Sequence, residues 1–540
     1  MLAAGGRFPG MNSSKPTTWQ SLRAVVGSWR LLSVVLLSFS SGLPLGLVWI
    51  AIPAWMARAG VDIKVIGLFS LAQAPWTFKL LWSPSMDAYP LPFLGRKRGW
   101  ILVSQVALVA LGLGLSAVSD EPRAVWVIGS LALAIAFASA TQDIAIDAYA
   151  VEVLRPEEHG IAVGARVALY RAAMLVSGGV SITLAAETSW TLVNALLALA
   201  YVPLMLVTWF APEPEAVPGA PRTLREAVWG PLVGFLAQHR ALEILAFVVL
   251  YKLSDNLSQA LIRPFLVQAG YRDFDVGVAT ATIGQTAAVA GTVLGGVLTQ
   301  ALGLGRALWV FGFLQVFANL GYAAVAEVGV NRPLMYGAQA LELGTSGMAA
   351  GAFGVLLLRL TQKRFSATQY ALLSSLFTLP RILCGPLAGV LADAIGWRDF
   401  FVFSVFMGIP GLVLLARFVP WGAREPEFQA AVREPGAPLS GAALLVRAAG
   451  GALAGAALGL LAVGIVGGLA SRRAGRGFDF GGAVHAALAP QRLADWTTAA
   501  GVTVLALGAG LATAAALVAR GGRGEGAGPS PDGNNARPPG

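Results

Sequence analysis

One cysteine, three histidines and few charges set the outer limits of this chain. Cys384 stands alone in 540 residues, which excludes an intramolecular disulfide and any Cys-based zinc cluster. His159, His239 and His485 lie far apart and leave little scope for a metal site. Charged residues make up 12%, against about 25% in a soluble globular chain. Catalytic signatures are missing too: there is no HExxH, no GxSxG, no P-loop GxxxxGK(S/T) and no full GxGxxG opening a helix. These absences argue against an enzyme. Without a Walker motif, any work on a solute must draw on an ion gradient or on the solute's own gradient, and no cofactor is expected.

What fills the chain is apolar. Hydrophobic residues reach 56% and mean hydropathy is +0.69, so the chain reads as an all-α polytopic membrane protein with the lipid bilayer as its main partner. The net charge of +10 could suit a nucleic-acid binder. The cations are scattered over short loops, however, which marks membrane topology and not a binding stripe. No nucleic-acid partner is expected.

Hydrophobic runs fall at 31–57, 63–88, 99–119, 124–150, 162–186, 190–211, 243–268, 276–301, 307–326, 333–358, 367–392, 398–418, 441–470 and 497–519. Each is at least about as long as the ~20 residues needed to cross a bilayer. The fourteen runs divide as a bundle of six (31–211), a polar linker (212–240), a second bundle of six (241–419), a further linker (420–440) and an extra pair (441–519). The segment 1–30 carries Arg7, Lys15, Arg23 and Arg30 and no acid, which places it in the cytoplasm. The apolar run before Ala57-Arg58-Ala59 is too long for a secretory signal. The Gly/Pro-rich tail 520–540 reads as disordered.

With that orientation, cytoplasmic segments hold eighteen cations and the opposite loops six. The bias agrees with the assignment. By helix count the loop 471–496, with Arg472, Arg473, Arg476 and Arg492, lies outside against the rule: either the twelve-helix core overrides it or one of the last two runs is interfacial. Twelve helices split after the sixth by a cytoplasmic linker is the pattern of a major facilitator fold, with the site between two six-helix halves. Weak internal symmetry agrees: Arg171 precedes Gly178-Gly179 in the fifth run, and Arg381 precedes Gly385 and Gly389 in the eleventh. The spacings Gly42/Gly46, Gly291/Gly295 and Gly385/Gly389 would let helices approach closely.

A charge inside lipid costs ~3 kcal/mol or more unless it faces protein or water. Eight are read well inside runs: Lys79, Asp143, Asp147, Arg171, Lys252, Asp255, Glu342 and Arg381. Asp143 and Asp147 share a helix face at i,i+4, and Lys252 and Asp255 do so at i,i+3. Two carboxylates on one desolvated face resist being ionised together, which is what a proton carrier requires. A static ion-pair network bracing the fold is the plainer alternative for that pair. Lys79, Asp143 and Asp147 lie toward the cytoplasmic end, near Asp87 and the cluster Arg96-Lys97-Arg98 that anchors the turn. These suit an inner gate. Lys252, Asp255, Glu342 and Arg381 lie mid-membrane and suit substrate and proton sites. Trp76, Lys79 and Trp82 fall on roughly one face; most membrane tryptophans, though, pack or anchor at the interface.

Several segments in order resemble the AmpG family of muropeptide permeases. They are SGLPLGL (41–47), VIGLFSL (65–71), FKLLWSPSMDAYPLPFLGRKRGW (78–100), ATQDIAIDAYAVEVL (140–154), YRAAMLVSGG (170–179), LYKLSDN (250–256), FSATQYALLSSL (365–376) and FSVFMGIPGLVLL (403–415). The usual facilitator turn GxxxDRxGR(R/K) is here stretched to SPSMDAYPLPFLGRKR, which agrees with this family and not with sugar facilitators in general.

The resemblance implies a monomeric permease of the bacterial inner membrane, importing N-acetylglucosaminyl-1,6-anhydro-N-acetylmuramic acid and its peptides for peptidoglycan recycling. Protons would drive it, and related members affect β-lactamase induction. On that reading Arg171, Lys252 and Arg381 hold ligand carboxylates, with Gln142 and Trp76 toward the sugar. Asp255 and Glu342 couple protons first, Asp143 and Asp147 second. Lys79, Asp87, Arg96, Lys97 and Arg98 form the cytoplasmic gate. The eukaryotic acetyl-coenzyme A transporters share a pattern like QDIAIDAYA, so another anionic substrate such as an acyl-CoA is a rival of the same class. A non-transporting sensor or an intramembrane enzyme using Asp143 and Asp147 is a rival of a different class.

Overall fold

The computed structural model describes residues 27–61, 72, 74–91, 94–120, 125–214, 219–236, 241–426, 440–473, 475 and 477–520. Lipid offers no partners for backbone polar groups, so apolar runs satisfy them internally as helices. The first half contains α1 (Trp29–Arg58), α2 (74–88), α3 (Arg98–Ala117), α4 (Val125–Val153), α5 (Pro156–Glu187) and α6 (Trp190–Phe210). A linker helix α7 (Leu224–Leu236) follows. The second half contains α8 (241–268), α9 (Asp273–Leu302), α10 (Leu304–Val328), α11 (Arg332–Leu360), α12 (Ser366–Ile395) and α13 (Trp397–Phe418). Last come α14 (Gly441–Arg473), a short α15 (Phe480–Leu488) and α16 (Leu493–Arg520).

Eleven helices among the described residues are long and apolar enough to cross a membrane. The other three expected runs are α2, α8 and α12. The first part of α2's run lies outside the described residues, and the helix changes pitch at a 3₁₀ turn, Lys79–Leu81. α8 is cut into Ala241–Leu250, Leu253–Gln259 and Ile262–Gln268. α12 runs unbroken for 30 residues. Among the described residues three helices carry a π-helical stretch, Leu47–Ala51 in α1, Val176–Val180 in α5 and Val278–Ile283 in α9.

Glycines set the tightest packing. In the first half α1 lies on α5, where a Cβ at Gly42 would collide with the Tyr170 carbonyl and one at Gly46 with that of Met174. In the second half α9 lies on α11, where Gly291 and Gly295 would collide with the carbonyls of Gly344 and Met348.

The two halves meet through a third set. α5 crosses α9 with Gly160 against Gly296 and Gly164 against Val293, and Gly354 of α11 rests on Val163. α12 packs on α2 and α4. All these contacts fall toward the cytoplasmic ends. At the other end Ser181–Glu187 of α5 packs on α6 of its own half, and Leu175 and Val180 are exposed. Among the described residues, the packing between the halves gathers toward their cytoplasmic ends.

Candidate functional site

The closed end is built around one carboxylate. Asp87, at the end of α2, is 1% exposed. Its oxygens take Lys97 Nζ at 2.6 Å and an Arg96 guanidinium nitrogen at 3.2 Å. Across the seam, the Ala367 and Thr368 amides donate to Asp87 at 3.2 and 2.8 Å, and the Thr368 hydroxyl donates at 2.8 Å. One half therefore supplies the anion that satisfies free amides at the N-terminus of a helix in the other, where the helix dipole also favours it. Beside it, Ser366 donates to Glu152 of α4 at 2.5 Å, and Arg96 donates to the Arg364 carbonyl at 2.8 Å. Arg98 turns away from this seam and holds Glu213 and the Ala211 carbonyl beyond α6.

One turn further into the membrane lies a cluster of two acids and two bases. Asp147 pairs with Arg166 at 2.6 Å and with Lys79 at 3.6 Å. Arg166 also donates to Ser38 of α1 at 2.9 Å and faces the Tyr370 hydroxyl of α12. Asp143, one turn along α4, faces Lys79, Ser41, Asp147 and Arg166.

The second half holds its own cluster. Lys252 Nζ donates to Asp255 at 2.7 Å and to the Ser346 hydroxyl and carbonyl at 2.8 and 3.0 Å. Ser346 donates to Asp255 at 2.8 Å, and Gln259 bridges Asp255 and Glu342 at 3.1 and 3.0 Å. The break at Tyr251-Lys252 in α8 swings the ammonium toward α11. Glu342 is wholly buried, and its Oε2 has no hydrogen-bond partner. Two carboxyls here share one ammonium, so the group is neutral only with a proton on it. A net charge would be expensive at this depth.

The major facilitator superfamily matches residues 34–379. The anhydromuropeptide permease of Escherichia coli K12 is 41% identical over 384 residues, covering 71% of this chain and 78% of that one. The chain is an AmpG-family major facilitator. An AmpG-type transporter of Rickettsia felis is 28% identical, over 72% of this chain and 96% of that one. Among solved structures, a proton:xylose symporter aligns with TM-score 0.55 at 12% identity, over 72% of this chain and 96% of that one. A bacterial ferroportin homologue in an outward-facing state aligns with TM-score 0.53 at 16% identity, over 72% and 98%. These last two share the fold. The AmpG-family chain is thus a transporter and a multi-pass protein of the bacterial inner membrane.

The other expected site residues scatter around the two clusters. Gln142 is buried against Ser40 of α1, with Oε1 unpartnered. Trp76 stands edge-on to Trp49, ring centres 5.9 Å apart, and its indole nitrogen is buried without a partner. Trp82 is parted from Trp76 by the 3₁₀ turn and donates to Thr141 at 3.1 Å. Arg171 reaches from α5 to Gln285 of α9 at 3.2 Å and is solvent-exposed. Arg381 lies in α12, and its side chain is outside the described residues. Lys252, expected to meet ligand, is 5% exposed and already held by Asp255 and Ser346. Among the described residues no three His, Cys, Asp or Glu side chains are grouped to hold a metal.

Sequence reasoning passed over Arg166, Glu152, Gln259, Ser346 and Tyr370. Arg166 carried a signal: it is a further cation in the fifth run, five residues before Arg171. Glu152 carried a weaker one, nine residues beyond Asp143 and just past the end of the same run.

Proposed function

We propose that this transporter imports N-acetylglucosaminyl-1,6-anhydro-N-acetylmuramic acid and its peptides from periplasm to cytoplasm, driven by protons, for peptidoglycan recycling. It moves its ligand without chemistry on it and works as a monomer. The carrying observation is the 41% identity to the Escherichia coli permease, which spans both six-helix halves and not one motif. Arg171, exposed on α5 and bonded across to Gln285 of α9, is the cation we assign to ligand carboxylates, with Arg381 as its counterpart in α12. Lys252 would join them only after Asp255 gives it up.

Coupling is assigned to Asp255 and Glu342. Their surplus of one acid over one base means a proton must arrive or leave whenever Lys252 exchanges Asp255 for a ligand carboxylate. Uptake of labelled anhydro-disaccharide into proteoliposomes tests this. Glu342→Gln and Asp255→Asn should lose concentrative uptake and keep counterflow. Concentration of ligand by both variants would remove these residues from the proton path. Failure of unlabelled anhydro-disaccharide to compete would point instead to another anionic solute.

A further inference from the structure

We infer that Arg166 is the positioning residue through which a proton reaching Asp147 loosens the closed cytoplasmic gate. The inference rests on the proton-coupled reading above and adds to it a second group, in the other half of the molecule.

The geometry sets Arg166 apart from its neighbours. It touches three elements at once: Asp147 on α4, Ser38 on α1 and, across the seam, Tyr370 on α12. Tyr370 lies one turn from Ser366, Ala367 and Thr368, the residues that Glu152 and Asp87 hold shut. Arg166 therefore links the N-half acids to the helix that the gate grips.

Charge counting supplies the switch. The groups facing Arg166 are Asp143 and Asp147 from α4, Lys79 from the 3₁₀ turn of α2, and the hydroxyls of Tyr370 and Ser38. Tyr170 of α5 lies beside Asp143 and Asp147. With both acids ionised, two negative charges balance Lys79 and Arg166. A proton on Asp147 leaves two cations facing one carboxylate, with the shared counter-ion of both removed. Like charges at close range in a poorly solvated seam repel strongly. The side chain of Asp147 is 18% exposed, so water can deliver that proton. Arg166 then has reason to leave Tyr370 for water, and α12 loses one of its ties to the first half.

The test reads the gate directly and needs no ligand. Gln300 of α9 donates to the Glu157 carbonyl of the other half at 2.6 Å. A Gln300→Cys thiol, with Cys384→Ser in the background, lies half-buried at this contact while the gate is closed, which sets the baseline labelling rate. Maleimide labelling from the cytoplasmic face should rise about fivefold or more as the periplasmic side is acidified, the low end of ordinary coupling strengths. Arg166→Ala should raise labelling at neutral pH and remove the response to acid, while Arg166→Lys restores part of it. An Arg166→Ala protein that keeps the full response overturns the inference.

Should that variant fail to fold, Tyr370→Phe removes the hydroxyl that faces Arg166 across the seam without changing any charge. It should weaken the response, and an unchanged one counts equally against the role. Uptake of labelled anhydro-disaccharide is followed in parallel. A normal labelling response with no ligand uptake would sink the substrate reading alone.

Discussion

Asp87 shows how much one side chain can carry. It neutralises Lys97, which is itself 0% exposed, and it fills the amide sites at the start of α12. Removing one partner of a buried pair strands the other, at about 3–5 kcal/mol. Asp87→Asn is therefore expected to lower the thermal midpoint of the purified protein and to raise labelling at position 300. Adding Lys97→Met should recover much of the lost midpoint, because no stranded ammonium remains. Thermal melts of the single and double variants check the pair.

Part of this was readable beforehand. The segment around Asp87 and Arg96-Lys97-Arg98 was placed at the cytoplasmic end from its position alone, and the structure sets Asp87, Arg96 and Lys97 at the seam while Arg98 turns away. Thr368, which completes the site 281 residues away, gave no local sign. The burial of Lys97 was equally hidden, since a lysine between two arginines reads as a solvated anchor. Arg166 escaped for a related reason: its value lies in partners on α1, α4 and α12, and only tertiary structure brings them together. Asp143 with Asp147, and Lys252 with Asp255, were visible because their partners share a helix.

Helices in this protein use glycine for two different purposes. Gly42 and Gly46 press α1 onto α5 inside one half, whereas Gly160 and Gly296 press α5 onto α9 between halves. The same substitution should then have two outcomes. Gly42→Val is expected to unfold the first half or block its insertion, giving little protein in the membrane. Gly160→Val is expected to leave a folded protein whose halves cannot close toward the cytoplasm, with position 300 permanently open and net uptake lost. Yield of folded protein by size-exclusion chromatography, beside maleimide labelling, separates the cases.

Length and hydropathy located most helices within a few residues, because lipid forces apolar runs to be helical. The breaks were not legible. The turn at Tyr251-Lys252 and the 3₁₀ segment at Lys79 fall where a charge enters the run, but a charge alone does not announce a break. They are held by bonds to other helices, such as that of Lys252 to Ser346.

At the scale of the whole molecule, α14 and α16 stand beside a core of two six-helix halves. The solved structures align over 96–98% of their own chains using 72% of this one. α16 packs on α7 and α14 on α12, so the extra pair touches the core at two elements. A chain ending at Glu425 should keep ligand uptake within about twofold and melt at a lower temperature, a loss of surface packing and not of the pathway. Uptake and melting of that truncated protein check it. Loss of uptake with an unchanged midpoint would give the pair a transport role.

The linker 212–240, read from sequence as a polar spacer, contains α7, and α7 is seated against the start of α12 at the seam. Gln369 donates to the Pro231 carbonyl at 3.1 Å, Gln362 to that of Gly234 at 3.3 Å, and Gly230 lies against the Phe365 ring. The tether between the halves thus doubles as a wedge on the cytoplasmic surface. A compound or antibody fragment that clamps α7 in place would stop the cycle from outside the solute path. Such an inhibitor would lower the maximal rate without competing for ligand, and no excess of substrate would relieve it.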